Sequence, residues 1–273
     1  MTIGIVGLGL IGGSIGLALR EPDRKIMGYD PNPDAVRVAG DRFCIDSVGT
    51  LDEVSQADVV FLAVPPIYVV SALEAVRKAK RPETVVTDCT SAKNAMADWV
   101  MKIKDPTVVI GHPMAGHENS GAKYASAWMF RGAKWILCPV SFTDKQAVRQ
   151  VESLIKAMGA SPVRMPPELH DRQIATLSHL PHAIAGALVQ MQEDLAAEDV
   201  SGGSWRDLTR VGGVDPNLWT QIFIENRIEL ARAIGDLESR LGTLKTALET
   251  NDDKTVRSFF DRAKKAKKAF EIK

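Results

Sequence analysis

The chain has few cysteines, no excess of charge of either sign and no unbroken apolar run, and each absence excludes something. Its three cysteines, Cys44, Cys89 and Cys138, are dispersed, and none stands in a CxxC pair. Neither a disulfide framework nor a zinc ribbon is expected, and free thiols fit a reducing cytoplasm. Lys plus Arg number 34 and Asp plus Glu number 34, for a formal net charge of zero. A protein that grips phosphate backbones carries a basic surplus, so nucleic acid is not the expected partner. The stretch nearest to an anchor, Ile3–Leu19, is interrupted by six glycines and has no basic segment before it, which fits neither a signal peptide nor a spanning helix. Internal repeats and low-complexity segments are missing too.

What remains is an ordinary globular balance, 45% hydrophobic and 25% charged over 273 residues, long enough for two domains at about 150 residues each. Through residue 165, short β-branched runs alternate with helical periodicity. Strands are expected at Thr2–Val6, Lys25–Tyr29, Val59–Ala63, Thr84–Asp88, Val108–Ile110 and Trp135–Cys138, with Ala160–Met165 closing the sheet. Helices are expected at Ile11–Arg20, Asp34–Asp41, Tyr68–Lys80, Ala92–Lys102 and Lys145–Met158. Nearly continuous apolar strands alternating with helices predict an α/β fold, a doubly wound, mostly parallel sheet of the Rossmann type. Met165-Pro166-Pro167 is the expected boundary, giving domains 1–165 and 166–273. Beyond it, His170–Ala197, Trp219–Glu249 and Asp253–Phe270 read as helices. A purely helical domain of this kind has second apolar faces to cover, so a homodimer is expected.

The first motif is Gly7-Leu8-Gly9-Leu10-Ile11-Gly12, a GxGxxG between a predicted strand and a predicted helix. Gly7 allows the tight turn, Gly9 lets backbone approach a pyrophosphate, and Gly12 lets helix and strand pack closely. Leu10 and Ile11 open the helix whose free N–H groups attract phosphate. Asp30, twenty-three residues after Gly7, ends the second strand, where a carboxylate accepts from ribose hydroxyls and repels a 2′-phosphate. This favours NAD over NADP.

Four of the five histidines fall in two short segments, Gly111-His112-Pro113-Met114-Ala115-Gly116-His117-Glu118 and Ser178-His179-Leu180-Pro181-His182. His112 follows a strand, in the loop position where α/β sheets place ligands, and Pro113 biases it to extended backbone. One segment on each side of the expected boundary predicts a site between domains.

Together, GLGLIGGS at 7–14, TDCTSAK at 87–93, GHPMAGHENSG at 111–121, SHLPH at 178–182 and RDLTRVGGVDPNLW at 206–219 resemble the prephenate/arogenate dehydrogenase family. The resemblance implies NAD-dependent oxidative decarboxylation of a cyclohexadienol. It implies that His112 accepts the proton of the ring hydroxyl, with Ser91 orienting histidine and hydroxyl, and that Arg210 grips the side-chain carboxylate. His179 and His182 would line the substrate pocket, Trp219 would form an aromatic wall, and Glu118 would gate the pocket and influence substrate choice. His179 and His182 are also spaced for metal ligation, but cysteines are absent nearby and the reaction needs no Lewis acid, so no metal is expected. Two alternatives stay open at this point: a β-hydroxyacid dehydrogenase-like oxidoreductase, which would rely on a lysine in the helical domain, and an NAD-binding sensor without turnover.

Overall fold

A computed structural model describes residues 1–117, 119–193 and 201–271 of the chain. Six strands, β1 (Thr2–Val6), β2 (Lys25–Tyr29), β3 (Ser47–Val48), β4 (Val59–Leu62), β5 (Val85–Asp88) and β6 (Val108–Val109), form a wholly parallel sheet. Their order is β3-β2-β1-β4-β5-β6, so the winding reverses between β1 and β4, where such sheets open a ligand crevice. Side chains alternate along each strand. Ile3, Ile5, Val59 and Phe61 feed one core, and Val6, Val60, Leu62 and Val86 feed the other. Helices α1 (Leu10–Leu19), α2 (Pro33–Asp41), α3 (Leu51–Ser55), α4 (Pro66–Ala79), α5 (Asn94–Ile103) and α6 (Lys145–Ala157) connect the strands.

The later strands depart from expectation. Rather than closing the main sheet, β7 (Gly111–Pro113), β8 (Lys134–Leu137) and β9 (Ser161–Arg164) form a separate three-stranded sheet, antiparallel between β7 and β8 and parallel between β8 and β9. The chain does not turn away after β6. Ile110 accepts from Cys138 N–H, and Met114 N–H donates to Lys134 O, which carries the extended backbone straight into the second sheet. His112 therefore sits at the centre of β7, paired with Ile136, and not in a loop.

The helix expected over 170–197 is three pieces: α7 (Pro167–Ile174), a π-helical turn (Ala175–His179) and α8 (Leu180–Glu193), with 194–197 lying outside the described residues. After α9 (Gly203–Thr209), the helix expected over 219–249 is likewise broken. It begins earlier, as α10 (Pro216–Glu225) capped by Asp215, and stops at non-helical Asn226. Residues Met1–Asn226 make one compact unit and Arg227–Lys273 another. Within the second unit, α11 (Arg227–Glu249) and α12 (Asp253–Glu271) form a helical hairpin. Its turn uses Asn251 at φ 54°, and Asp252 caps α12 through Thr255. Among the described residues, no helix is long and apolar enough to cross a membrane.

Phe61, Phe130 and Trp135 are fully buried together, with ring centroids 5.1 and 6.2 Å apart in the two pairs that Trp135 makes. Phe61→Ala is expected to cost about 3–5 kcal/mol. Denaturant unfolding should read this as a lower midpoint with an unchanged slope.

Candidate functional site

The turn after β5 builds the floor of the site. Asp88, with 1% of its surface exposed, accepts Gly111 N–H at 2.9 Å on Oδ1. Its Oδ2 accepts Thr90 N–H at 3.0 Å and the Lys93 ammonium at 2.5 Å. Lys93 Nζ, itself fully buried, donates onward to Gly111 O at 2.7 Å and Thr90 Oγ1 at 3.0 Å. One ion pair thus holds both backbone polar groups of Gly111 and sets where the next residue, His112, stands. A buried ion pair survives desolvation only with further hydrogen bonds of this kind.

His112 is buried, and its Nδ1 lies 2.9 Å from Nε2 of His170, with the rings edge to face at 68°. His170 Nδ1 lies 2.7 Å from Asp171 Oδ1. The same carboxylate accepts the amides that start α5, Lys93 N–H at 2.7 Å on Oδ1 and Asn94 N–H at 2.9 Å on Oδ2. Asn226 Nδ2 donates to Asp171 O at 2.9 Å and meets His179 Nδ1 at 3.3 Å. The break in the expected long helix therefore has a physical cause, since Asn226 is buried with its amide committed to α7 and the π-helical turn. Trp219 stacks on His182 with ring centroids 3.6 Å apart and meets His179 edge-on at 6.3 Å. His182 Nδ1 reaches Ser178 O at 2.9 Å.

Burial is the largest cause of every histidine shift here. It pushes His112 well below the ordinary imidazole range, helped by nearby His170, Lys93 and His179. His170 and His182 move down as well, and His179 falls to about 4. Near neutral pH the cluster is uncharged imidazole, capable of accepting a proton. Glu225 moves the opposite way, raised to about 7 by burial against the pull of Lys93.

A cavity of about 340 Å³ brings Ser91, His112, His179, His182, Arg210 and Trp219 together. A second, of about 870 Å³, is lined by Gly7, Gly9, Leu10, Ile11 and Asp30, and shares Ser91, His117 and Trp219 with the first. Gly12 lies off this second cavity. A Cβ there would come 1.9 Å from Gly7 O, so its role is helix–turn packing. Asp30 follows β2, with one carboxylate oxygen accepting Leu8 N–H, which braces the glycine turn, and the other accepting Asn32 N–H in its own loop. Glu118 lies outside the described residues. His117 is exposed and stacks on Tyr124 at 5.9 Å. Arg206 and Arg210 are both exposed, but Arg210 lines the smaller cavity and Arg206 lines neither. Cys89 borders the larger cavity, but burial and the Asp88 charge push its thiol up, and Cys138 is pushed up to about 12. Both thiols are held in the protonated form, the poorer nucleophile.

Sequence reasoning missed Asp88, Lys93, His170, Asp171 and Asn226. A usable signal existed for two of them, since His170-Asp171 pairs the one histidine outside the two segments with an acid, three residues after the two prolines.

The histidines bind more protons unfolded than folded between their lowered values and about 6.5, so stability falls as pH drops through that window. Glu225 binds its extra proton in the folded state between 4.5 and about 7, so its contribution is lost as pH rises through that window. The histidines outnumber it. The melting temperature is expected to fall from pH 7 to pH 5, and Glu225→Gln should steepen the fall. A melting temperature that is flat or rises on acidification contradicts the burial of neutral imidazoles.

Two family models cover nearly the whole chain: the prephenate dehydrogenase nucleotide-binding domain over residues 15–164, and the prephenate dehydrogenase dimerization domain over 166–262. The prephenate dehydrogenase of Bacillus subtilis is 32% identical over 96% of this chain and 74% of its own length. The cyclohexadienyl dehydrogenase of Zymomonas mobilis is 31% identical over 98% and 95%. The crystal structure of prephenate dehydrogenase from A. aeolicus in complex with hydroxyphenyl propionate and NAD+ is 32% identical, covers 100% of this chain and 98% of its own, and superposes with a TM-score of 0.90. With both domains matched and relatives above 30% identity along almost the whole chain, the chain belongs to the prephenate dehydrogenase family of oxidoreductases.

Proposed function

We propose that the protein catalyses NAD-dependent oxidative decarboxylation of prephenate to 4-hydroxyphenylpyruvate, of arogenate to tyrosine, or of both. The observation that carries this reading is the placing of His112, Ser91 and Arg210 around one small cavity that adjoins the cavity of the glycine turn.

The residues present fit a dinucleotide. Gly7 holds φ +96°, where a Cβ would strike Ala63 O at 2.4 Å, while a Cβ on Gly9 would meet nothing within 4 Å and would fill space that a pyrophosphate needs. The start of α1 has no side-chain cap and no acidic residue in its first turn, so its N–H groups are left for phosphate. NAD supplies the acceptor for the hydride when bound. His112 takes the proton of the ring hydroxyl as the hydride leaves the same carbon. The carboxylate on the opposite ring carbon departs as carbon dioxide, its bonding electrons flow through the ring to that oxygen, and the proton returns to it. Ser91 orients the hydroxyl, and Arg210 holds the side-chain carboxylate with a planar fork that lysine lacks. His179, His182 and Trp219 wall the substrate, and Glu118 gates it. In this reading residues 1–165 hold the cofactor, while 166–273 hold the substrate and a second subunit in a homodimer.

Purified protein with NAD and each substrate, followed by absorbance of the reduced cofactor, tests the reading. Turnover of at least one substrate is expected. His112→Asn should lower kcat by about 10²–10⁴-fold. Arg210→Ala should raise KM by about 10–100-fold, the loss expected for a charged hydrogen-bonding partner. No turnover of either substrate ends the proposal.

A further inference from the structure

We propose that Asp171 and His170 are positioning residues that fix the tautomer of His112, leaving its Nε2 free of hydrogen to receive the substrate proton. This rests on the reading of His112 as the base.

The argument follows hydrogens outward from Asp171. Its two oxygens already receive backbone N–H groups from Lys93 and Asn94, and backbone amides only donate. The third partner, His170 Nδ1 at 2.7 Å, must donate as well, so the hydrogen of His170 sits on Nδ1. A neutral imidazole carries a single N–H. His170 is fully buried and held neutral by desolvation, with Lys93 opposing its protonation and Asp171 and Asp88 favouring it. Its Nε2 is therefore an acceptor, and His112 Nδ1, 2.9 Å away, must be the donor. His112 is also neutral, pressed by burial, His170, Lys93 and His179, so its Nε2 is bare. His112 lines the substrate cavity and His170 does not. Two imidazoles in series, 58 residues apart in sequence, thus transmit the polarity of one carboxylate to a base on another element.

The same bookkeeping gives His179 the opposite tautomer. Asn226 Nδ2 is identified as nitrogen because it faces the carbonyl of Asp171, and its second contact is His179 Nδ1. His179 Nδ1 must accept, so its hydrogen is on Nε2. Of the histidines lining the cavity, His112 and His182, whose Nδ1 donates to Ser178 O, thus carry bare Nε2 atoms, while His179 carries its hydrogen on Nε2.

The test is nitrogen NMR of ¹⁵N-histidine-labelled protein without substrate near neutral pH, with the His112 signals assigned by their loss in His112→Asn. The expected spectrum has a protonated Nδ1 and a bare Nε2 on His112, read without any turnover and so independently of the reaction assignment. Kinetics supply the second readout. His170→Phe keeps a ring but no acceptor, and should lower kcat about 100-fold with little change in KM. His170→Gln places a carbonyl oxygen where Nε2 stood, and should stay within about tenfold of the native kcat. A native His112 that carries its hydrogen on Nε2 overturns the proposal, as does an equal kcat for the Phe and Gln variants. If His170→Phe does not fold, the native spectrum alone decides.

Discussion

Everything at this site depends on one buried carboxylate. Asp171 is almost wholly withdrawn from water, and among the described residues no lysine or arginine side chain pairs with it. Its partners are the first two amides of α5 and an imidazole N–H. A helix N-terminus carries both unpaired donors and partial positive charge, so it compensates a buried anion without introducing a mobile cation. Through that arrangement α7 is locked onto α5, and α5 begins immediately after the turn that holds Gly111 and therefore His112. Asn226 adds the last tie, joining the backbone of Asp171 to His179. Fold and site are joined by the same set of bonds here, which ends on Gly111, the residue before the cavity-lining His112.

The charge arrangement around the base is equally economical. A base with an ordinary imidazole value would be partly protonated just below neutrality, whereas His112, desolvated and within reach of the Lys93 field, holds neutral well below that. Lys93 cannot act as a free cation in this role, because Asp88 pairs with it and two oxygens absorb its other hydrogens. Arg210, by contrast, is exposed at the end of α9, where the carboxylate of the proposed substrate would arrive from water with its charge intact. The proposed base and the proposed anchor therefore stand in opposite dielectric settings, one dry and one wet, as proton abstraction and carboxylate capture require.

The parts of this structure that were legible in sequence are the local ones. The glycine turn was readable because Gly7 and Gly12 answer to backbone geometry within a few residues. Five of the six strands of the parallel sheet were readable from their apolar runs, whereas β3, two residues long and partly exposed, left no run to read. The second sheet was not readable, because β7 is three residues long and ends in proline, leaving no periodicity to read. The break at Asn226 and the π-helical turn before His179 were also hidden. Each alters a helix by about one residue, too little to disturb an apolar pattern that continues across it. His170 escaped for a different reason. On α7 it reads as an ordinary helical position, and its partner His112 is brought beside it only by tertiary packing. Residue chemistry was visible throughout, but the pairing of residues was not.

The central claim is spatial: the imidazole of β7 and the guanidinium after α9 act on opposite ends of one small acid. A crystal structure of the protein with NAD+ and hydroxyphenyl propionate bound measures this most directly. The account predicts the phenolic oxygen within about 3 Å of His112 Nε2 and the propionate carboxylate within about 3 Å of the Arg210 guanidinium. A ligand seated in the reverse direction, or bound away from the cavity that His112 and Arg210 share, would contradict it.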